Sequence, residues 1–322
     1  ILKLNKNEHL SHFKTSRINT NGLNSIDFVF KGRAYLIDFN DDRVEKGYGY
    51  CVKSIDGNLV EWILLQWLTL YFGESADDPY SVRNNTYFHK RGYQDFDRAF
   101  FLKFIGKVSK FPFSSYTKWR NELLRKSLAM YCVGVRLSID YMPITVGYFA
   151  NSIEGLSNAY WNDRSNYKTL GSNPYKKLIN ARFMRLKKSK KHGEEVKRWL
   201  KYIEQEIDVI TEIRNVYCGH SLMHSKKERK KLISVMNNWS VKHGWDRKNA
   251  KRKAYRTSIT ENTLGGVHSG AIFKLSMNTN RILFFYYFNL IRDLPFTEHD
   301  FTLFGVKLDK DPLVIEHPDR IA

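Results

Sequence analysis

Residues 196–220, VKRWLKYIEQEIDVITEIRNVYCGH, carry the strongest helical pattern in the sequence. Their apolar side chains recur every three or four positions, at Val196, Trp199, Leu200, Ile203, Ile207, Ile210, Ile213 and Tyr217. This spacing places one apolar stripe along one side of a helix, so we predict a helix that faces a hydrophobic core. Gly219 favours the left-handed conformation that ends helices, and His220 follows directly after it.

Arg214 and His220 stand near the end of this predicted helix. Arg214 follows the apolar positions at helical spacing, so it emerges at the edge of the stripe, where a guanidinium must pair or reach a cavity. Asn215 is its immediate neighbour. An arginine on the last turns and a histidine just past the end can therefore be brought to one point. The alternative is an arginine that caps its own helix and a histidine on the surface.

Arginine and histidine together suit one reaction class. Histidine titrates near neutral pH, so it can take a proton from a hydroxyl or give one to a leaving group. Arginine stays charged, and its planar fork fits two oxygens of a phosphate. The pair suits a phosphodiester that is attacked by its own 2′-hydroxyl, a reaction that needs no metal. RNA supplies that hydroxyl and DNA does not.

The motif Arg214-Asn215-Val216-Tyr217-Cys218-Gly219-His220 consists of an arginine, a polar residue and a histidine after five intervening positions, and it closes a long amphipathic helix. This arrangement resembles the motif of the HEPN superfamily, helical domains that include many metal-independent endoribonucleases. Within that superfamily the chain is most similar to the ApeA-like, abortive-infection-associated branch. In that branch a mostly β N-terminal region precedes a C-terminal HEPN domain.

The resemblance implies an endoribonuclease that uses no cofactor and leaves a 2′,3′-cyclic phosphate on its RNA substrate. In this picture His220 moves the proton, Arg214 holds the non-bridging phosphate oxygens, and Asn215 fixes the geometry by hydrogen bonding. The resemblance further implies a homodimer in which Arg214 and His220 of both subunits face one another. It also implies a toxin or antiphage effector, with an antitoxin or a phage-derived activator as a further partner.

The net charge of +20 is concentrated in two segments that flank the predicted helix. Residues 182–201 carry nine Lys and Arg against two acidic residues, and residues 226–256 carry twelve against two. A basic surface around a phosphate site indicates a polyanionic substrate bound through its backbone. For either segment the alternative is a solvated lysine-rich loop. The candidate RNA-binding residues are Arg185, Lys187, Lys188, Lys190, Lys191, Lys226, Lys227, Arg229 and Lys230.

The predicted helical domain begins after residues 111–115, FPFSS, because proline and paired serines interrupt the apolar pattern there. Thr117 is the predicted cap of its first helix, which Pro143 stops. The apolar positions of this helix are Trp119, Leu123, Leu124, Leu128 and Tyr131. A last helix is predicted at Ala271–Ile291, after a turn at residues 264–266.

A second helix is predicted after the proline, and it carries the one acidic candidate for the site. Its apolar stripe consists of Val146, Phe149, Ala150, Ile153, Leu156 and Tyr160. Glu154 lies next to that stripe, so its carboxylate could orient Arg214 or His220. The alternative is an ordinary exposed glutamate, since buried carboxylates are rare.

The first part of the chain is predicted to contain β-structure. Residues 26–30 and 35–39 alternate in polarity on either side of a turn at residues 31–34, which indicates a β-hairpin, and residues 48–53 indicate another strand. Residues 59–73 are apolar on all sides and too short to span a membrane, so we predict a buried helix that ends at Gly73. Residues 97–105 are predicted to be helical.

The predicted fold is therefore α+β, with an N-terminal β-containing domain followed by an all-α HEPN-type bundle. The predicted domains are residues 1–112, with a sensor or gating role, residues 113–295, and a tail at 296–322 that packs on the rest. Three widely spaced cysteines, no signal peptide and no apolar run of about 18 residues favour a soluble cytoplasmic protein with no membrane partner.

The same residues also allow three other interpretations. A non-catalytic HEPN module that binds RNA or a nucleotide is the main alternative to the nuclease. A basic DNA-binding protein is less favoured, because the sequence contains no helix-turn-helix pattern or zinc finger. Cys218, His220 and His224 lack a fourth ligand and the paired cysteines of structural zinc sites, so no metal is predicted.

Overall fold

The computed structural model describes residues 25–39, 48–73, 75, 85–89, 98–137, 144–161, 207–215, 227, 230, 231, 234, 266–288 and 290. These residues contain a four-stranded sheet and several helices, which confirms the α+β class. The chain divides into two compact units between Phe111 and Pro112, one residue before the predicted boundary. The predicted tail, residues 296–322, lies outside the described residues. Among the helices described, none is long and apolar enough to cross a membrane.

The predicted hairpin opens the first unit and is confirmed. Strand β1, Ser25–Phe30, pairs antiparallel with β2, Arg33–Asp38. The turn consists of two residues rather than the predicted four, because Lys31 and Gly32 both adopt positive φ values of 49° and 80°. A two-residue turn with both φ values positive matches the twist of the flanking strands, so pairing resumes at once.

Two further strands complete an antiparallel meander. Strand β3, Tyr48–Ser54, confirms the strand predicted at residues 48–53, and β4 is Asn85–His89. The order in the sheet is β1-β2-β3-β4. Asn85 begins β4, where it pairs with Lys53 although asparagine has a low strand propensity.

The core of the first unit is aromatic. Helix α1, Trp62–Phe72, is buried throughout its last nine residues and ends at Gly73 with φ 72°, which confirms the predicted buried helix. Helix α2, Arg98–Val108, confirms the helix predicted at residues 97–105. The Tyr71 ring lies 5.1 Å from that of Phe101 and 5.2 Å from that of Phe104, so α1 and α2 pack through offset and edge contacts.

In the second unit, every element whose ends are described is a helix. Helix α3, Lys118–Leu137, is capped as predicted, since the Arg120 backbone N–H donates to Thr117 Oγ1 at 3.2 Å. Helix α4, Ile144–Trp161, buries the predicted stripe apart from Tyr160, which is half-buried. The two helices pack along their lengths, with the Tyr131 and Phe149 rings 5.8 Å apart.

Helix α5, Gly266–Tyr287, begins five residues earlier than predicted and ends four residues earlier. Gly266 was predicted to belong to the preceding turn and is instead the first helical residue. The helix also buries polar side chains that an apolar pattern does not mark. Asn280 Nδ2 donates to the carbonyl of Ser276 at 2.9 Å and to that of Phe149 in α4 at 3.2 Å, so the amide nitrogen is satisfied without exposure, while Asn280 Oδ1 has no hydrogen-bond partner among the described residues.

Tyr131 lies in a fully buried position near a buried arginine. Burial raises the pKa of its hydroxyl above the ordinary value, and the positive charge of Arg281 opposes that rise. Arg281 is 2% exposed, and its Nη1 donates to Asn278 Oδ1 at 3.3 Å. Within the described part of the chain Tyr131 Oη has no hydrogen-bond partner. No hydrogen bond therefore offsets the free-energy cost of burying this hydroxyl.

Tyr131→Phe is expected to raise the free energy of unfolding by up to about 1 kcal/mol, because it removes a buried hydroxyl that makes no hydrogen bond. It should also reduce the loss of stability in alkali. Above the ordinary tyrosine pKa of 10.0 the unfolded chain releases the proton while the folded chain retains it. Stability is therefore full below that value and falls as the pH rises beyond it.

Urea denaturation near neutral pH and above pH 10 measures both effects of Tyr131→Phe. Tyr35→Phe in the first unit serves as a comparison, because burial also raises the pKa of the Tyr35 hydroxyl but, unlike Tyr131, this hydroxyl interacts with Arg33 and with the backbone of Glu61. A Tyr131→Phe protein that is destabilised by more than about 1 kcal/mol would show that the hydroxyl stabilises the native state.

Candidate functional site

Residues 207–215 form a helical segment, here called the site helix, that includes the N-terminal part of the predicted motif. Ile207, Ile210 and Ile213 are buried, which confirms the described part of the predicted stripe. Val209 and Thr211 are buried too, and Thr211 Oγ1 donates to the Ile207 carbonyl at 2.7 Å. The site helix is therefore covered on more than one side. Residues 216–220, including His220, lie outside the described residues.

Arg214 and Glu154 form an ion pair across two helices. Arg214 Nη1 donates to Glu154 Oε2 at 2.6 Å, and the two side chains are 18% and 17% exposed. The two residues lie 60 positions apart in the chain, so tertiary packing brings them together. A hydrogen bond between charged groups in partial burial is stronger than the same contact on the surface. The pair fixes one arm of the guanidinium.

Asn215 contacts the other arm of the same guanidinium. Its side chain is exposed, and its Oδ1 accepts a hydrogen bond from Arg214 Nη2 at 3.3 Å. Three of the four predicted catalytic residues therefore lie in one cluster at the last described turn of the site helix. The Arg214 side chain retains 18% of its surface exposed beside these two contacts.

The backbone of α4 approaches α3 directly beside Glu154. A Cβ atom placed on Gly155 would lie 2.2 Å from Ser127 Oγ, which itself donates to the Leu123 carbonyl at 2.8 Å. Sequence reasoning did not single out Gly155, although a glycine inside a helical pattern is a signal of close packing. The close contact sets the position of the helix turn that carries Glu154.

Gly155→Ala is expected to destabilise the second unit by about 1–3 kcal/mol, because the added methyl group overlaps Ser127 Oγ, which must rotate away and lose its buried hydrogen bond to the Leu123 carbonyl. Gly106→Ala in α2 is the matched control. No atom lies within 4 Å of its added Cβ, so alanine there should stabilise by roughly 0.5–1 kcal/mol through helix propensity. Thermal denaturation of both variants measures the difference.

Adding Ser127→Ala to Gly155→Ala removes the overlapping hydroxyl and should recover most of the lost stability. Equal stabilities for Gly155→Ala and Gly106→Ala would contradict the close contact between α3 and α4.

Lys231 contacts the site helix and was not among the predicted RNA-binding residues. Its Nζ pairs with Glu212 Oε1, two residues before Arg214. Lys227 and Lys230, which were predicted, are helical and exposed. No local signal distinguishes Lys231 from the other lysines, because its partner lies in another segment of the chain. The remaining predicted RNA-binding residues lie outside the described residues: Arg185, Lys187, Lys188, Lys190, Lys191, Lys226 and Arg229.

No group of three or more potential metal ligands occurs among the residues that the structure describes. Cys218, His220 and His224 lie outside them. Comparisons with protein-family models, with curated proteins and with solved structures found no match to this chain. Function is therefore inferred from the chemistry of Arg214, Glu154 and Asn215.

Proposed function

We propose that this protein is a metal-independent endoribonuclease of the HEPN type. The observation that carries the proposal is the Arg214–Glu154 ion pair at 2.6 Å, which orients a guanidinium at the end of the described site helix. A charged donor that is held in place before the reaction stabilises developing negative charge without the cost of reorganisation. Arginine is also the side chain best suited to grip two phosphate oxygens at once.

In the proposed reaction His220 takes the proton from an RNA 2′-hydroxyl, and the 2′-oxygen attacks the adjacent phosphorus. The bond from phosphorus to the 5′-oxygen then breaks, and a protonated histidine supplies the proton to that leaving oxygen. Arg214 holds the non-bridging oxygens while their negative charge grows. The products are a 2′,3′-cyclic phosphate and a 5′-hydroxyl, and no oxidant, metal or water is consumed.

Glu154 acts in this scheme as a positioning residue, since it contacts Arg214 and not the RNA. Its negative charge has two opposite effects on the site. It fixes the direction of the guanidinium, which favours the transition state, but it also offsets the positive charge that would attract an RNA backbone. Ground-state attraction for RNA must then come from other cations, and the net charge of +20 supplies them.

The HEPN resemblance extends the proposal to quaternary structure and biological role. A homodimer would place two copies of Arg214 and His220 near one RNA strand, so that one histidine could act as base and the other as acid. A nuclease of this kind would serve as a toxin or antiphage effector, restrained by an antitoxin or switched on by a phage-derived activator.

The proposal is tested by incubating the purified full-length protein with end-labelled single-stranded RNA in excess EDTA. We expect cleavage, with 2′,3′-cyclic phosphate termini on the products. A matched oligonucleotide with one 2′-deoxy residue at the mapped cut should resist cleavage at that position alone, because the attacking hydroxyl is missing. Intact RNA together with salt-sensitive binding would favour the non-catalytic module instead.

A further inference from the structure

A row of exposed lysines occupies one side of the helical segment that follows the motif. Lys227, Lys230 and Lys231 are helical and exposed, as is Ser234. Separations of three and four residues bring side chains to the same face of a helix, with neighbouring Cβ atoms roughly 5–6 Å apart. We call Lys227, Lys230 and Lys231 the lysine face.

The lysine face lies against the site helix through one contact. Lys231 Nζ pairs with Glu212 Oε1, and the two side chains are 63% and 15% exposed. The carboxylate is therefore mostly buried against the protein, while the lysine reaches it from a solvent-exposed helix. Glu212 precedes Arg214 by two residues in the site helix. The contact thus joins the lysine face to the element that carries the proposed catalytic arginine.

We propose that the lysine face binds the RNA backbone next to the scissile phosphate, and that the Glu212–Lys231 pair holds it beside the site helix. This proposal rests on the proposed function and deepens it by naming the substrate contact. The Arg214–Glu154 pair and the lysine face have different roles in this proposal. Arg214 is largely neutralised by Glu154, so the lysine face supplies ground-state attraction, while Arg214 responds to the charge that develops in the reaction.

A positioning role of Glu212 and a purely electrostatic effect predict opposite changes in RNA affinity when its charge is removed. A carboxylate near a polyanion repels it, so removing the charge of Glu212 should tighten RNA binding if only the net charge matters. If the pair positions the lysine face, removing it should weaken binding. Lys231 is 63% exposed, so solvent screens the pair and limits its contribution to folding stability, and thermal denaturation of Glu212→Gln separates weaker binding from unfolding.

The binding test uses the full-length protein and a fluorescent oligouridine in which every 2′-hydroxyl is replaced by fluorine, so that it cannot be cut. Fluorescence anisotropy gives Kd over a series of salt concentrations. Lys227→Gln with Lys230→Gln should weaken binding by roughly threefold to tenfold and reduce the steepness of the log Kd against log salt plot by about 1.4. The matched control is Lys103→Gln with Lys110→Gln, which removes two exposed lysines from the first unit.

Glu212→Gln should weaken binding of the same probe by roughly twofold to fivefold. Lys231→Gln breaks the same contact and also removes one cation of the lysine face, so it should weaken binding at least as much as Glu212→Gln. Equal or tighter binding by Glu212→Gln would overturn the positioning role. A Lys227→Gln and Lys230→Gln variant that binds like its control, or a wild-type protein that does not bind the probe, would overturn the lysine face.

Cleavage of natural RNA is scored separately, so the two proposals can fail separately. A wild-type protein that binds through the lysine face but leaves natural RNA intact would contradict the proposed nuclease activity and support the proposed binding surface. A protein that cuts RNA in EDTA with no contribution from Lys227 and Lys230 would support the proposed nuclease activity and contradict the proposed binding surface.

Discussion

Replacing Arg214 with alanine is expected to lower kcat for RNA cleavage by about 10²–10³-fold, and replacing His220 with alanine by about 10²–10⁴-fold. In the proposed reaction the arginine would supply charge where the phosphate oxygens become more negative, and the histidine would move the proton. Arg214→Lys should recover little of the activity. Lysine keeps the charge but lacks the fork that contacts Glu154 and Asn215 at the same time. Single-turnover kinetics measures each rate.

Loss of Arg214 also leaves the partly buried Glu154 carboxylate without its ion-pair partner. The expected cost is about 1–2 kcal/mol of unfolding free energy, discounted from that of a fully buried pair because both side chains retain some exposure. The double variant Arg214→Ala with Glu154→Gln removes the stranded charge. It should recover stability without recovering activity, so loss of chemistry can be separated from loss of fold.

Glu154→Gln by itself tests whether the ion pair positions the arginine for catalysis. We expect kcat to fall by about tenfold, because the guanidinium is held less firmly. KM should stay unchanged or fall, since the site becomes more positive. A purely structural ion pair would change stability and leave both kinetic constants near their wild-type values, and that result would contradict the proposed role of Glu154. An active His220→Ala protein that folds normally would contradict the nuclease site as a whole.

Replacing Phe149 with alanine is expected to cost the second unit about 3–5 kcal/mol of unfolding free energy. The ring is fully buried, 5.8 Å from that of Tyr131 and 5.7 Å from that of Phe273, so it joins α3, α4 and α5. Gly134 lies against this ring, and a Cβ there would come within 2.8 Å of it. The surrounding helices cannot collapse fully around a missing ring, so a cavity remains.

Thermal denaturation should show the effect of Phe149→Ala as a fall in melting temperature on the order of 10 °C for the second unit. Val133→Ala in α3 is the control, because Val133 is 37% exposed and its loss should change stability by less than about 0.5 kcal/mol. The same loss in both variants would show that Phe149 does not hold the three helices together. Because α4 carries Glu154, the Phe149 variant should also lose RNA cleavage as it unfolds.

Several local features were predictable because the chemistry that determines them lies within a few residues. Thr117 caps α3 through a hydrogen bond to a backbone N–H three residues later. Gly73 ends α1 because only a residue without Cβ adopts φ 72° at low cost. Alternation of polarity likewise predicted β1 and β2, while the turn length was wrong because Lys31 accepts a positive φ that sequence patterns do not favour.

The buried polar residues of α5 were not predictable in the same way. Asn280 and Arg281 are 0% and 2% exposed, although their residue types usually lie on surfaces. Asn280 is tolerated in the core because a carbonyl of α4 accepts its hydrogen bond, and that carbonyl belongs to a distant part of the chain. An apolar pattern therefore does not mark Asn280 and Arg281 as core residues.

Sequence periodicity was sufficient to identify the core side of the site helix and to place Arg214 at its edge, because helical geometry is set by neighbours three and four residues apart. The sequence made Glu154 a candidate partner of Arg214 or His220, and tertiary packing decided that it pairs with Arg214; packing alone paired Lys231 with Glu212. Such pairs depend on how whole helices approach one another. That approach is set by the summed shape of many side chains, including the missing Cβ of Gly155, rather than by any local pattern.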